Sequence, residues 1–300
     1  MSLVINTNTM ANTVSRNLNT HYSALSDSTR KLSSGLRVER AADDAAGLAV
    51  RELMRADIAA LQQGVRNAND AISLIQTADG ALQTIDEKLI RMKELAEQAA
   101  TGTYDSVQRA IIDSEYQAMA SEITRIANAT KFSNIKLLDG NLSALAGDAD
   151  GHDGSGLSSK GKLKIHFGTG NDSDEDYYYI EIKSATASSL GVGSGAAAGS
   201  DGYAISTQEA AQKALSAINN AIVSKDNIRA YLGSMQNRLE ATVSNLSIQA
   251  ENLQSSESRI SDVDVASEMT KFVRNQVLAN TAVSMLGQAN NIPQMALSLL

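Results

Sequence analysis

The sequence predicts a mainly α fold: an elongated rod of antiparallel coiled-coil and bundled helices, its N- and C-termini paired, with one small β-hairpin in the middle. Three observations lead there. Apolar residues recur at steps of three and four through much of the first and last thirds. The 300 residues include one Pro, no Trp and only 4% aromatics, and such a mixture of small and aliphatic side chains suits long helices packed side by side. A central stretch switches to period two, the repeat of a strand.

Taken in order, Leu18, Tyr22, Leu25, Thr29, Leu32 and Leu36 step by four and three and place one seam on the first helix. Gly35 interrupts it, and the polar run Arg37 to Asp43 reads as a connector. Asp43 and Asp44 fit the start of a second helix. Its seam runs Ile58, Leu61, Val65, Ala68, Ile72, Ile75, then Leu82, Ile85, Leu89, Met92, Ala96, and Thr101-Gly102-Thr103 ends it. If unbroken, this helix spans about 85 Å at about 1.5 Å per residue. A third helix is expected over Ser106–Thr130, with Ile111, Ile112, Met119, Ile123 and Ile126 inward.

The middle is different. Leu163, Ile165 and Phe167 alternate with Lys162, Lys164 and His166, and Tyr178, Ile180 and Ile182 alternate with Tyr179, Glu181 and Lys183. That is a hairpin over about 162–183, turned by the acidic segment Asn171–Asp176. Residues 148–181 carry eight acidic and three basic side chains, a net of −5 out of the chain's −8, so this segment is expected to face water. The flanks, about 141–161 and 184–204, are rich in Gly, Ser, Ala and Asp and read as short variable loops. They lack a helical seam and are expected to tolerate insertion, with Gly193 as a test point.

The last third returns to helix. Leu232, Met235, Leu239, Thr242, Leu246, Gln249, Leu253, Ser256, Ile260 and Val263 keep three-four spacing. A further helix follows Asp264, with Met269, Val273, Val277 and Leu286 as its apolar positions, and Pro293 is expected to stop or kink it. The principal seam residues are therefore Leu18, Leu25, Leu32, Leu232, Leu239, Leu246, Leu253 and Ile260. A small irregular middle cannot bury these seams, so the two ends are expected to bury against each other or against other copies.

Both extremities are free of charge: Met1–Ser15 and Asn275–Leu300 contain no Asp, Glu, Lys or Arg. The first lacks the basic segment and solid apolar stretch of a cleaved signal peptide. The second is interrupted by Asn275, Gln276, Asn280, Gln288, Asn290, Asn291 and Gln294, which argues against a membrane span. Held together at one end, the two segments would form a large uncharged surface requiring a partner.

Chemistry-bearing patterns are sparse. The chain has no Cys, hence no disulfide framework and no thiolate chemistry. Its three histidines, His21, His152 and His166, are far apart. Asp172, Asp174 and Asp176 have the opening spacing of a calcium loop, but Tyr177 and Lys183 occupy the positions that need Gly and Glu. The run from Asp148 to Asp153 fails similarly, with Asp153 and Ser159 in those slots. Gly191–Gly195 matches no nucleotide or nucleophile motif. An acidic chain without a basic, aromatic-laced patch does not suit nucleic acid. The reading is of a non-enzyme with no metal, catalytic residue or cofactor.

Several motifs, in order, carry a family resemblance. Lys31-Leu32-Ser33-Ser34-Gly35-Leu36-Arg37, Ala42-Asp43-Asp44-Ala45-Ala46-Gly47-Leu48-Ala49 and Val65-Arg66-Asn67-Ala68-Asn69-Asp70-Ala71-Ile72-Ser73 resemble hallmarks of bacterial flagellin. Ser258-Arg259-Ile260-Ser261-Asp262-Val263-Asp264, Gln288-Ala289-Asn290-Asn291 and Leu297-Ser298-Leu299-Leu300 are similar to flagellin C-termini. The resemblance covers about residues 1–140 and 205–300. It implies an inner coiled-coil domain from 1–42 and 261–300, and a rod domain from 43–205 and 206–260 that carries the hairpin. The short middle implies a form without large outer domains.

The same resemblance implies a structural subunit that polymerises into the flagellar filament for motility. It implies export as an unfolded chain by the flagellar type III system without a cleaved signal, and an extracellular destination. The implied partners are other copies of the chain, an export chaperone at the C-terminal segment, hook-junction and filament-cap proteins, and a host flagellin-sensing toll-like receptor. For that receptor, Arg91-Met92-Lys93-Glu94-Leu95-Ala96 matches the family segment, and Arg91, Leu95 and Glu115 resemble the main contacts. Two other readings stay open: a flagellin-like hook–filament junction protein, present in few copies, and a coiled-coil adaptor that never polymerises.

Overall fold

A computed structural model describes residues 7–143, 161–172 and 175–297. Its helices are α1 (Thr9–Ser34), α2 (Ala45–Ala100), α3 (Ser106–Ala129), the single turn α4 (Ala187–Leu190), α5 (Gln208–Ser261) and α6 (Val265–Leu297). Its strands are β1 (Lys131–Phe132), β2 (Ile135–Lys136), β3 (Leu163–His166) and β4 (Tyr177–Ile180). The acidic stretch 148–153, His152 and Asp174 lie outside the described residues. Contacts divide the chain into two compact units, one from Met1–Ile58 with Glu251–Leu300, the other Ala59–Ala250. The expected boundaries at 42/43 and 260/261 lie in the connector before α2 and in the last turn of α5, whereas this division falls inside α2 and α5.

In the first unit α1 and α6 pair antiparallel. Asn8, which caps α1, donates to the Ala289 carbonyl near the end of α6 (2.8 Å), and Ser28 near the end of α1 donates to Glu268 near the start of α6 (2.7 Å). The connector is zipped. Gly35 takes a left-handed φ of 72°, its N–H closing α1 on Lys31 O. Leu36 bridges to Asp262, and Arg37 N–H donates to Ser261 O (2.6 Å) while Val263 N–H returns to Gly35 O (3.0 Å). The Arg37 guanidinium adds a bond to Ile260 O (2.8 Å). Pro293 does not end α6, which runs on to Leu297.

The second unit is built on α2, α3 and α5. Asp105 starts α3 with a reciprocal capping box: its side chain caps the helix, and Gln108 Oε1 accepts the Asp105 N–H (3.0 Å). Leu82, Ile85, Leu89, Met92, Tyr116, Ile123, Leu232 and Leu239 are fully buried in one core. The expected hairpin forms, with Leu163 opposite Ile180 and Ile165 opposite Tyr178. Its alternation holds: Phe167, Ile180 and Ile182 are buried, and Tyr178 and Phe167 pack ring to ring at 4.6 Å. The hairpin reaches α2 because Gly64 lacks a side chain. A Cβ there would overlap the Phe167 carbonyl, and one turn on Asn67 donates to His166 O (2.8 Å). A smaller hairpin, β1–β2, turns through Ser133 and Asn134, both at positive φ.

Two expectations are corrected here. Ile111 is 67% exposed while Ile112 is buried; neighbours on a helix point about 100° apart, and the buried stripe of α3 through Ile112, Tyr116, Ala120, Ile123 and Ala127 is too narrow to include both. The segment 184–205 is not a solvated loop. Ala187, Leu190, Val192, Gly193 and Ile205 are buried, and α3 holds the segment by polar anchors. Tyr116 donates to Gly202 O (2.9 Å), Gln117 donates to Tyr203 O (2.7 Å) and accepts from Ser194 N (2.6 Å), and Asp113 accepts from Ile205 N (2.7 Å). Gly193 sits at φ 63°, where a Cβ would collide with that of Ala120.

Candidate assembly surface

The α1 seam uses Leu18, Leu25 and Leu32, all half-buried, but the positions between them are His21 and Ser28, not Tyr22 and Thr29. Tyr22 is 51% exposed. Both assignments obey heptad spacing. The polar one wins because Ser28, buried, has a partner: its hydroxyl donates to Glu268, also buried, whose other oxygen accepts from Lys271 (3.0 Å). The Ser28 hydrogen bond, then Lys271, hold the Glu268 carboxyl below the usual range against the opposing effect of burial.

On α6 the inward stripe is Glu268, Phe272, Asn275, Ala279, Ala282, Leu286 and Ala289, an unbroken four-three repeat. Of the expected apolar positions only Leu286 lies on it. Met269, Val273 and Val277 are exposed, at 44%, 49% and 58%, with Val265 beside them. The inward alanines are small, so α1 and α6 can approach closely, and the larger apolar side chains point to solvent. α6 thus carries large apolar side chains on its outward side as well as apolar ones on its inward side, and from Asn275 onward it has no charge. Exposed valines and methionines clustered on an uncharged helix mark a contact surface.

Along α5, Leu232, Leu239 and Leu246 are buried, while Leu253 and Ile260 are half-buried and Gln249 is exposed. Charges fix the register of α2 against α5. Arg229 Nε donates to Asp79 (2.7 Å), and the buried Lys225 ammonium contacts Asp86 (2.6 Å) and its neighbour Asp226 (2.7 Å). None of these groups was singled out by sequence reasoning; the i, i+4 spacing of Lys225 and Arg229 facing Asp86 and Asp79 was the available signal.

The three receptor-resemblance residues do not share one environment. Arg91 and Glu115 are exposed and bonded across α2 and α3 (2.8 Å), with Glu94 also on Arg91 (2.9 Å). Leu95 is buried in the core, not on the surface. Among the described residues no cluster of His, Cys, Asp or Glu could hold a metal, and no helix is long and apolar enough to cross a membrane. His21 faces the α1 seam, His166 contacts Gly170 O (2.9 Å), and the Asp176 carboxylate accepts the Gly170 and Asp172 N–H groups, bracing the hairpin turn.

Comparison with known proteins agrees with this architecture. The bacterial flagellin N-terminal helical region matches residues 5–143, and the bacterial flagellin C-terminal helical region matches residues 215–300. The chain is 39% identical over 298 residues to a flagellin of Halalkalibacterium halodurans, covering 99% of this chain and 100% of that one. It is 38% identical over 304 residues to the flagellar filament 33 kDa core protein of Treponema phagedenis, again at 99% and 100% coverage. Among solved structures, one described as a flagellar hook-associated protein of Vibrio parahaemolyticus superposes with a TM-score of 0.54 at 13% identity, covering 73% of this chain and 100% of that chain, a likeness of fold.

Proposed function

This chain belongs to the bacterial flagellin family, and we propose on that premise that it polymerises with copies of itself into the flagellar filament, an extracellular appendage for motility. It is a structural protein and not an enzyme. The observation that carries the reading is α6: it exposes large apolar side chains, among them Met269, Val273, Val277 and Val283, on the side turned from α1, and it is charge-free over its last two-thirds. Such a surface is stable in water only when further copies cover it. Purified chain added to filament seeds should lengthen them in electron micrographs, and deletion of residues 275–300 should abolish growth. Seeds that grow equally with the truncated chain would overturn the reading.

The remaining roles follow the family. The C-terminal segment is offered to an export chaperone, and the chain leaves unfolded through the type III system without a cleaved signal; the absence of Cys leaves no cross-link to oppose this. Hook-junction and cap proteins meet it at the filament ends. In the free subunit both termini are unfolded, because an isolated amphipathic segment cannot offset its ordering entropy. Circular dichroism should therefore gain helix signal on polymerisation, and an unchanged spectrum would count against it. For the toll-like receptor, Arg91 and Glu115 are the direct contacts, and Leu95 supports them from behind. Arg91→Ala should weaken receptor signalling without changing the melting temperature, whereas Leu95→Ala should lower both.

A further inference from the structure

The nine methionines are distributed unevenly. Those in the core of the second unit are shielded: Met92 is 0% and Met235 6% exposed, and Met119 is half-buried. The open ones all lie on α1 and α6: Met10 at 47%, Met269 at 44%, Met285 at 51% and Met295 at 56%. Met54, on α2, is half-buried, and Met1 lies outside the described residues. With no Cys and no Trp in the chain, these thioethers are its most readily oxidised side chains. Met269 stands beside Val265 and Val273 on the outward side of α6, where an apolar contact is needed.

We propose that Met10, Met269, Met285 and Met295 are a peroxide-reactive modification site, and that their conversion to sulfoxide stops an unassembled subunit from polymerising. The inference rests on the assembly reading of α6. The chemistry is complete with hydrogen peroxide as oxidant. A sulfur lone pair attacks one peroxide oxygen, the O–O bond breaks, and the departing hydroxide takes the proton from the transferred oxygen. Sulfur is oxidised by two electrons to the sulfoxide, and peroxide is reduced to water. The new S–O group is polar and makes the flexible apolar side chain stiff and hydrated. Burying it without a donor should raise the critical concentration for assembly about tenfold for each sulfoxide placed in an apolar contact. The buried methionines of the second unit should escape, so its fold should persist.

The test treats the full-length chain with hydrogen peroxide, maps sulfoxides by peptide mass spectrometry, and measures seeded growth by sedimentation. Oxidation should appear first at the four exposed sites and growth should fall at least tenfold, while preformed filaments given the same dose keep Met269 and Met285 unoxidised. Treatment with the two methionine sulfoxide reductases should restore growth of the wild-type chain. The quadruple variant M10L/M269L/M285L/M295L should grow from seeds and stay peroxide-resistant. Oxidised wild type that grows at an unchanged critical concentration overturns the inference, as does loss of growth that the reductases do not reverse. An untreated chain that fails to extend seeds overturns the assembly reading itself, and the inference with it.

Discussion

The ammonium of Lys225 is a sensitive point in the second unit, because it is buried and both its partners are accessible. Its side chain is 2% exposed, whereas those of Asp86 and Asp226 are 27% and 58% exposed. Asp86→Asn removes the less solvated partner and leaves the ammonium with a screened one. The cost should lie between the 3–5 kcal/mol of a buried charge left unpaired and the 1 kcal/mol or less of a surface pair, at about 2 kcal/mol. Asp226→Asn should cost about 0.5 kcal/mol. Lys225→Met keeps the hydrocarbon stem in place and removes the charge that needed a partner, so it should stay within about 1 kcal/mol of wild type. In the double variant Asp86→Asn/Lys225→Met no buried charge remains to be orphaned, and it should recover more than half of the Asp86→Asn loss. Guanidinium unfolding of the four variants, followed by circular dichroism, reads these values. Equal costs for the two Asp substitutions, or strict additivity in the double variant, would refute this account of the pair.

Other perturbations separate the parts of the molecule. Leu246→Ala, at a buried site, should cost about 2–5 kcal/mol, and Leu253→Ala, half-buried, about 1 kcal/mol; a Leu246→Ala loss below about 0.5 kcal/mol in the same denaturant assay would place it outside the core. A small tag inserted at Gly193 should destabilise the second unit, because that glycine is wedged on Ala120, whereas one at Gly199, where nothing lies within 4 Å of a Cβ, should melt like wild type. The Glu268 carboxyl is held low in the folded chain, so the stability it contributes is complete above its ordinary value of 4.5 and is lost as pH falls through the lowered one. Filaments monitored by circular dichroism should soften over that acid range, and Glu268→Gln filaments should change less there.

Where one element packs against a single neighbour in a simple repeat, the sequence was enough. The hairpin from 163 to 182 and the seam Leu232–Leu239–Leu246 follow from spacing alone, and so does the centre of the α2 stripe, Leu82–Ile85–Leu89–Met92. Spacing failed where two registers were equally periodic. On α1, Tyr22 and Thr29 fit as well as His21 and Ser28, and the choice depends on Glu268, 240 residues away. On α6, ranking by hydrophobicity chose Met269, Val273 and Val277, but the side chains that let two helices approach are the alanines. The expected seam through Met92 and Ala96 leaves Leu95 out, and the family resemblance made it a receptor contact. α2 packs against both α3 and α5, so its buried stripe is wide enough to include Leu95 and Ala99. The segment 184–205 has the composition of a linker, and its anchors, Asp113, Tyr116 and Gln117, lie on a distant helix whose own pattern does not announce them.

The two units solve opposite problems with the same kind of helix. In the second, large aliphatic side chains fill the space between helices and charged pairs select one register, so its apolar demand is met within one chain. In the first, the inward side of α6 has only two large apolar side chains, the half-buried Phe272 and Leu286, among the small Ala279, Ala282 and Ala289 and two polar positions, Glu268 and Asn275, so burying it yields less apolar area than the second unit's core. The valines and methionines that would have stabilised a self-sufficient pair are turned outward instead. That arrangement is costly for a monomer and favourable for a polymer. Ser28–Glu268 and Asn8–Ala289 set the register of α1 and α6 where they pair, and most of their outward apolar surface is left for another copy to cover. It follows that substitutions on the outward side, such as Val273→Ser, should leave the unfolding of the second unit unchanged and raise the critical concentration for growth. Substitutions inside the second unit should do the reverse. A Val273→Ser chain that unfolds more easily in the second unit yet extends seeds normally would mean that α6 finds its partner within the chain, and the division drawn between the two units would be wrong.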